Sequence, residues 1–310
     1  VCEALNQKHT HVVKEKVADA IIEKYGLSNG QDEALKYVLS GPDVVAITGF
    51  AGTGKSYMMK AAREAYETQG YNVLGCAIAS VAAAGLEADA KIPSRTIASL
   101  LLSLENGNTK LTNKDVLVVD EAGMVDNVSM AKLHNYISKA GAKIINLGDA
   151  EQLNPVGPGA FFRAIVESIG CTTLYAIRRQ NIEWQAKATV LFAQKRTEQA
   201  LQAYRDNGRL RLTDTQDEAK AQLIGNWAEK LEDISREQQE NKIDFKGNPL
   251  SQCLILAHAN VDVLDLNLKA RERLINDERL VGKDVQVKAQ RGKRAIRQGE
   301  RILFLKNERS

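Results

Sequence analysis

The segment Gly49-Phe50-Ala51-Gly52-Thr53-Gly54-Lys55-Ser56 constrains this chain more than any other. It follows directly on the apolar run Val44-Val45-Ala46-Ile47 and opens onto a stretch of helical periodicity from Lys55 to about Gln69. The pattern G-x-x-x-x-G-K-[ST], between a buried strand and a helix, is a phosphate-binding loop. Its glycines let the backbone turn several N–H groups inward around an anion, and the helix N-terminus adds favourable partial charge. Lys55 is expected to reach the β- and γ-phosphates of ATP, and the Ser56 hydroxyl to hold Mg²⁺. Gly49, Ala51, Gly52, Thr53, Gly54 and the adjoining Tyr57 are expected to complete the nucleotide contacts.

The same strand–loop–helix order repeats downstream. Asn72 to Ala79, Val116 to Val119 and Lys143 to Leu147 read as further strands, with helical segments such as Ser129 to Ala140 between them. Before the loop, Val12 to Lys24 and Gln31 to Leu39 have helical spacing. Such alternation predicts an α/β fold with a parallel sheet, whose ligands gather at the carboxyl ends of the strands. Ala186 to Asp206 and Glu218 to Gln239 read as helices, and Asn241 to Gln252 as a linker. Beyond it, Cys253 to Ala257 reads as a strand, Val261 to Ile275 as a helix, and Asp284 to Lys288 and Arg301 to Leu305 as strands. This is the start of a second α/β unit, too short to complete one.

Three polar clusters follow apolar runs, where a parallel sheet would bring them together. Asp120-Glu121 ends the run Val116 to Val119 and is expected to face the loop across adjacent strands. Asp120 suits Mg²⁺, which takes one or two carboxylates plus phosphate oxygens, and Glu121 suits the orientation of an attacking water. Gly148-Asp149-Ala150-Glu151-Gln152-Leu153 follows the next strand, and the Gln152 amide can sense a γ-phosphate. Arg178-Arg179-Gln180 follows Leu174 to Ile177, and an arginine there stabilises charge developing on phosphate. Taken singly, the last two are equally a polar turn and a surface basic patch.

Composition removes other classes. No apolar run approaches the roughly 18 residues of a membrane span. The four cysteines, Cys2, Cys76, Cys171 and Cys253, form no C-x-x-C pair, which argues against a structural zinc site and fits a reducing cytoplasm. The net charge is +3, yet residues 281–310 carry nine Lys or Arg against three Asp or Glu. That stretch is therefore +6 and the remainder −3, which suits a polyanion or, equally, a solvated edge.

The motifs in this order resemble superfamily 1 helicases of the RecD-like, 5′-to-3′ group. Gly49 to Ser56 is similar to their motif I, Val119 to Met124 to motif II, Gly148 to Gly157 to motif III, and Arg179-Gln180 to motif IV. Gln31, within Gly30 to Leu35, resembles their adenine-reading glutamine. Ser94 to Leu100, Ala257 to Val263 with Leu266-Asn267, and Gly299 to Asn307 resemble segments of TraA-type conjugal transfer relaxase-helicases. The resemblance covers residues 26–310 and implies catalytic roles for Lys55, Asp120, Glu121, Gln152 and Arg179. It implies single-stranded DNA as partner, touched by Ser80, Arg95, Thr96, Asn154, His258 and Asn260, with other DNA-transfer proteins nearby in a bacterial cytoplasm. It implies an N-terminal helical segment (1–40), a RecA-like ATP-binding domain (41–206) with a small hairpin at 103–113 turning at Glu105 to Asn108, a helical connector (207–252) and an incomplete second RecA-like domain (253–310). Two departures stand out: Asn154-Pro155 replaces the family's Pro-Pro, and motifs V and VI are not found. A truncated module that binds ATP and DNA without processive turnover therefore remains an alternative, as does a small-molecule phosphotransferase.

Overall fold

A run of four apolar residues without polar alternation is satisfied only by burial on both faces. In the computed structural model, which describes residues 8–49, 53–149, 161–174, 182–240, 248–289 and 292–302, Val44, Val45, Ala46 and Ile47 are all fully buried in strand β1 (Val44–Gly49). Around it stand β2 (Asn72–Ala77), β3 (Ser94–Thr96), β4 (Asp115–Asp120), β5 (Lys143–Gly148) and β6 (Thr172–Leu174). They form one sheet in the order β3-β2-β4-β5-β1-β6, and every neighbouring pair is parallel. The α/β class and the parallel sheet are as expected.

Side chains alternate between two cores, as the two-residue period of a strand requires. Val45, Ile47, Val116, Val118, Ile145 and Leu147 face one. That side is covered by α1 (Glu15–Tyr25), α2 (Asn29–Ser40), α3 (Lys55–Thr68) and α4 (Ser80–Ala90), through residues such as Ile21, Leu35, Met58 and Leu86. Val44, Ala46, Leu117, Val119 and Ile144 face the other, against α5 (Ile97–Glu105), α6 (Asn127–Ala140) and α7 (Phe161–Ile169). The two N-terminal helices thus share a core with the phosphate-binding strand.

Several elements differ from expectation. The stretch 103–113 is not a hairpin: α5 runs through Glu105, and the turn at Asn106-Gly107, with Gly107 at φ +70°, closes that helix. The spacing of Ile97, Leu100, Leu101 and Leu104, all buried, is helical and carries the segment into the core. The expected helix from Ala186 to Asp206 is two, α8 (Glu183–Ala193) and α9 (Thr197–Asp206), interrupted at Lys195 with φ +62°.

The chain divides into two compact units, residues 1–209 and 210–310. In the second, α10 (Gln216–Gln239) and α11 (Asn260–Asn276) enclose a core of Trp227, Ala228, Leu231, Leu274 and Leu280. Cys253 to Ala257 belongs to no sheet among the described residues. Cys253 and Ile255 pack on that core while Leu254 and Leu256 are exposed, an alternation that lacks a neighbouring strand to pair with. The expected strand Asp284 to Lys288 lies within an antiparallel pair, β7 (Val281–Ala289) and β8 (Gly292–Gln298). Arg301 and Ile302 are not in a strand, and the rest of the strand expected there lies outside the described residues.

The amino end of the sheet holds a buried polar clasp. Asp43 accepts from the Thr10 backbone N–H (3.1 Å) and hydroxyl (2.6 Å), and its Oδ1 lies 2.8 Å from His11 Nδ1. Beside it the fully buried Lys143 donates to the carbonyls of Gly41 (3.1 Å) and Pro42 (2.8 Å). Burial brings the Lys143 ammonium down to about 7, against a weaker opposing pull from Asp43. The unfolded chain, in which this lysine titrates near 10.5, then holds more protons than the folded one between pH 7 and 10.5. Stability should rise with pH across that window, by up to roughly 1 kcal/mol per unit from this group. Denaturant titrations at pH 6 to 10 should show that rise in the native chain and its loss in Lys143→Met; an unchanged slope in the variant would remove Lys143 as its source.

Candidate active site

The strands that carry the polar clusters are neighbours, in the order β4-β5-β1. Their carboxyl ends bring the phosphate-binding loop, Asp120-Glu121 and Gly148-Asp149 to one edge. The arrangement differs from expectation in one respect. β5 is inserted between β1 and β4, so Asp120 meets the loop across a strand rather than from the adjacent one.

The loop's geometry follows from its glycines. A Cβ on Gly49 would stand 3.0 Å from both the Leu174 carbonyl oxygen and Thr53 Oγ1, so a side chain there would press on β6. Gly54 takes φ +81° at the N-cap of α3, a conformation L-residues rarely adopt. Lys55 and Ser56 occupy the first two positions of α3, where backbone N–H groups have no helical partner. Lys55 Nζ donates to the Gly49 carbonyl at 2.5 Å, reaching back across the mouth of the loop. Thr53 is buried and Ser56 half-buried; Ala51 and Gly52 lie outside the described residues.

Across β5, burial raises the Asp120 carboxyl above its ordinary range. A hydrogen bond from the Glu121 N–H (2.9 Å) opposes the rise, the Glu121 charge adds to it, and the nearby Lys55 ammonium pulls it down. Glu121 has φ +55°. Among the described residues three other non-glycine residues share a positive φ, but Lys91, Lys195 and Glu278 each follow the end of a helix, where such a turn is ordinary. Glu121 instead follows a strand, and strained backbone of this kind gathers at functional sites. Its carboxylate has no hydrogen-bond or ion-pair partner among the described residues.

Gly123 and Gly148, which lie in the segments resembling motifs II and III with no role of their own assigned there, hold the strand ends together. A Cβ on Gly123 would meet the Asp149 carbonyl oxygen at 2.9 Å. One on Gly148 would stand 2.8 and 2.9 Å from the Phe162 ring and 3.1 Å from the Gly123 nitrogen.

Gln31 is 2% exposed and is engaged locally. Its Oε1 accepts from the Ser28 N–H (3.4 Å) and hydroxyl (3.2 Å), and its Nε2 donates to the Thr53 and Gly54 carbonyls, both at 3.4 Å. Ser28-x-x-Gln31 is a capping box for α2. Tyr57 is 44% exposed and donates its hydroxyl to the Tyr25 carbonyl at 2.8 Å.

The expected DNA contacts fall on both units. Ser80, exposed, opens α4 just after β2 ends. Arg95 is exposed on β3, while Thr96 is committed to capping α5, its Oγ1 accepting from the Ser99 N–H at 3.2 Å. His258 and Asn260 are exposed in the second unit, at the start of α11. Gln152, Asn154 and Arg179 lie outside the described residues. Among those described, no group of three metal-ligating side chains exists, and no helix is long and apolar enough to cross a membrane.

A parallel sheet with a glycine loop and lysine after β1, and carboxylates at the end of β4, defines a P-loop nucleotide-binding protein. The chain belongs to the AAA domain family, which matches residues 26–215. It is similar to the conjugal transfer protein TraA of Agrobacterium fabrum, at 40% identity over 305 residues, 98% of this chain and 26% of that protein. The probable conjugal transfer protein TraA of Sinorhizobium fredii is 38% identical over the same share of each. The ATP-dependent RecD2 DNA helicase of Deinococcus radiodurans is 31% identical over 159 residues, 50% of this chain and 22% of that protein. The chain thus spans about a quarter of the length of these conjugal transfer relatives, and the resemblance read from its motifs holds.

Gly148→Ala tests the packing of the strand ends. Phe162 is 3% exposed, so the ring can give way only by repacking the core around it, and overpacking should destabilise the first unit by about 1–3 kcal/mol. Denaturant unfolding measures this; unchanged stability would show that the ring and the Gly123 loop can part without cost.

Proposed function

We propose that this chain is the ATP-driven helicase segment of a conjugative DNA-transfer relaxase, moving 5′ to 3′ on single-stranded DNA in a bacterial cytoplasm. The observation that carries the reading is the convergence, on the carboxyl edge of one parallel sheet, of Lys55 at the start of α3 with Asp120 and Glu121 at the end of β4, Glu121 on left-handed backbone. The similarity to conjugal transfer proteins and to RecD2 directs that chemistry to DNA.

The donor set fits MgATP. Lys55, the loop N–H groups and the α3 N-terminus offer positive charge to a triphosphate. Ser56 and Asp120 supply the hydroxyl and single carboxylate that Mg²⁺ takes beside phosphate oxygens. A Mg²⁺ ion held there would supply charge neutralisation for the phosphates. Lys55 exchanges the Gly49 carbonyl for phosphate oxygen. Glu121 orients a water and accepts its proton as the water oxygen bonds to the γ-phosphorus and the bond to the β-phosphate oxygen breaks. Gln152 senses the γ-phosphate, Arg179 stabilises its developing charge, and Gln31 and Tyr57 border the base. Residues 41–206 form the first RecA-like domain, and 253–310 begin the second.

On the DNA side, Ser80, Arg95, Thr96, Asn154, His258 and Asn260 contact the phosphate backbone without reading sequence. Other DNA-transfer proteins are the expected partners.

Two variants separate the roles. Lys55→Ala should weaken MgATP binding and abolish hydrolysis while leaving single-stranded DNA bound. Glu121→Gln should keep MgATP but lower turnover by roughly 100-fold or more, the scale of a lost general base. Hydrolysis in Glu121→Gln at the native rate would remove that residue from the reaction. Hydrolysis that single-stranded DNA does not stimulate would sink the motor reading and favour a small-molecule phosphotransferase.

A further inference from the structure

The β7–β8 ribbon carries charge that nothing among the described residues balances. It holds Lys283, Lys288, Lys293, Arg294 and Arg297 against Asp284 alone in its described length. Asp284 is engaged twice, by Arg297 at 2.6 Å and by Arg271 of α11 at 2.7 Å. The remaining four cations are exposed and form no ion pair among the described residues. Within the ribbon Lys288 stands opposite Lys293, and Val287 opposite Arg294. Opposed residues share a face and successive ones alternate. Lys288 and Lys293 therefore project from one face and Arg294 from the other, so the outer half is positive on both sides. Directly opposed like charges are destabilising. Protecting the strand edges does not demand that cost, since isolated or mixed charges protect an edge equally.

We propose that this ribbon binds duplex DNA, with Lys288, Lys293 and Arg294 against the phosphates that wall a groove. The inference rests on the DNA reading above and adds a double-stranded site to it. The major groove is about 12 Å wide and admits a two-stranded ribbon. At about 3.4 Å per residue, β8 alone is roughly 24 Å long. A ribbon positive on both faces matches a groove with phosphates on both walls. A single strand presents one such line, and sites for it combine positive charge with aromatic platforms for the bases. No Phe, Tyr, Trp or His occurs between Val281 and Gln298.

The test compares a blunt duplex of about two helical turns with a single strand of equal length, each titrated with the 310-residue chain over a range of salt. K288A/K293A/R294A should weaken duplex binding by about ten-fold or more near physiological salt, and lower the log–log salt slope by about 2–3, at about 0.9 per phosphate contact. Single-strand affinity should fall less than about two-fold under the same conditions. K288R/K293R, which keeps the charge, should bind duplex like the native chain. Equal losses on both DNAs would make the ribbon a single-strand site and overturn the proposal. No loss on either would make it a solvated edge, and duplex binding lost in K288R/K293R as well would refer the effect to folding; both overturn it too. If the native chain binds neither DNA at low salt, the DNA reading itself fails and this inference with it.

Discussion

Strands β4, β5 and β1 are sealed on both faces, and the placement of all the chemistry depends on that. Val116 to Val119, Ile144, Ile145 and Val44 to Ile47 are fully buried against helices on either side. No charged side chain can point from the middle of such a strand without losing its hydration. Charged groups are excluded to the strand ends, while the neutral amide of Asn146 is tolerated inside β5 with its Nδ2 donating to the Val45 carbonyl at 3.2 Å, and a parallel sheet puts all its carboxyl ends along one edge. The convergence of Lys55, Asp120, Glu121 and Asp149 is thus a consequence of burial. The amino edge shows the exception: Lys143 is buried there only because the Gly41 and Pro42 carbonyls receive its ammonium, and burial still brings it down to about 7.

The edge is held under tension that the core sustains. Asp120 is half-withdrawn from water, which raises its carboxyl, while Lys55 pulls the other way. A cation arriving between them would relieve both the repulsion from Glu121 and the cost of burial. Glu121 pays in backbone conformation, and Gly123 and Gly148 permit the two loops to touch where any side chain would separate them. Each of these features is unfavourable in isolation and persists because the sheet beneath is rigid.

What was legible in the sequence was what depends on local chemistry. The phosphate-binding loop is legible because glycine and lysine spacing is itself the mechanism. Buried strands announced themselves by apolar runs, and α3 and α6 by periodicity. The edge strands β3 and β6 were not anticipated: Ser94-Arg95-Thr96 and Thr172-Thr173-Leu174 are three residues each and too polar to leave a pattern. The insertion of β5 between β1 and β4 is a matter of tertiary pairing and leaves no local trace. Glu121 could not be read as strained because it is not a glycine. The turn at Asn106-Gly107 was recognised as a turn, but a glycine turn closes a helix as readily as a hairpin, and the apolar spacing before it decides between the two.

The second unit sets the significance of the β7–β8 ribbon by contrast. Between α10, α11 and the base of the ribbon, several cations are matched. Lys220 lies between Asp262 (2.9 Å) and Asp265 (2.8 Å), Lys269 shares Asp265, and Arg271 joins Asp284 to Glu300. These pairs fasten α11 to α10 and to the base of the ribbon, where partly withdrawn charges need partners. The pairing stops at Arg297. Beyond it the strands continue to the turn with cations only, fully in water, where an unpaired lysine costs little and is free to release counterions to a polyanion. The ribbon's charges that reach α11 are thus paired and serve the unit's own fold, while Lys283, Lys288, Lys293 and Arg294 form no ion pair among the described residues.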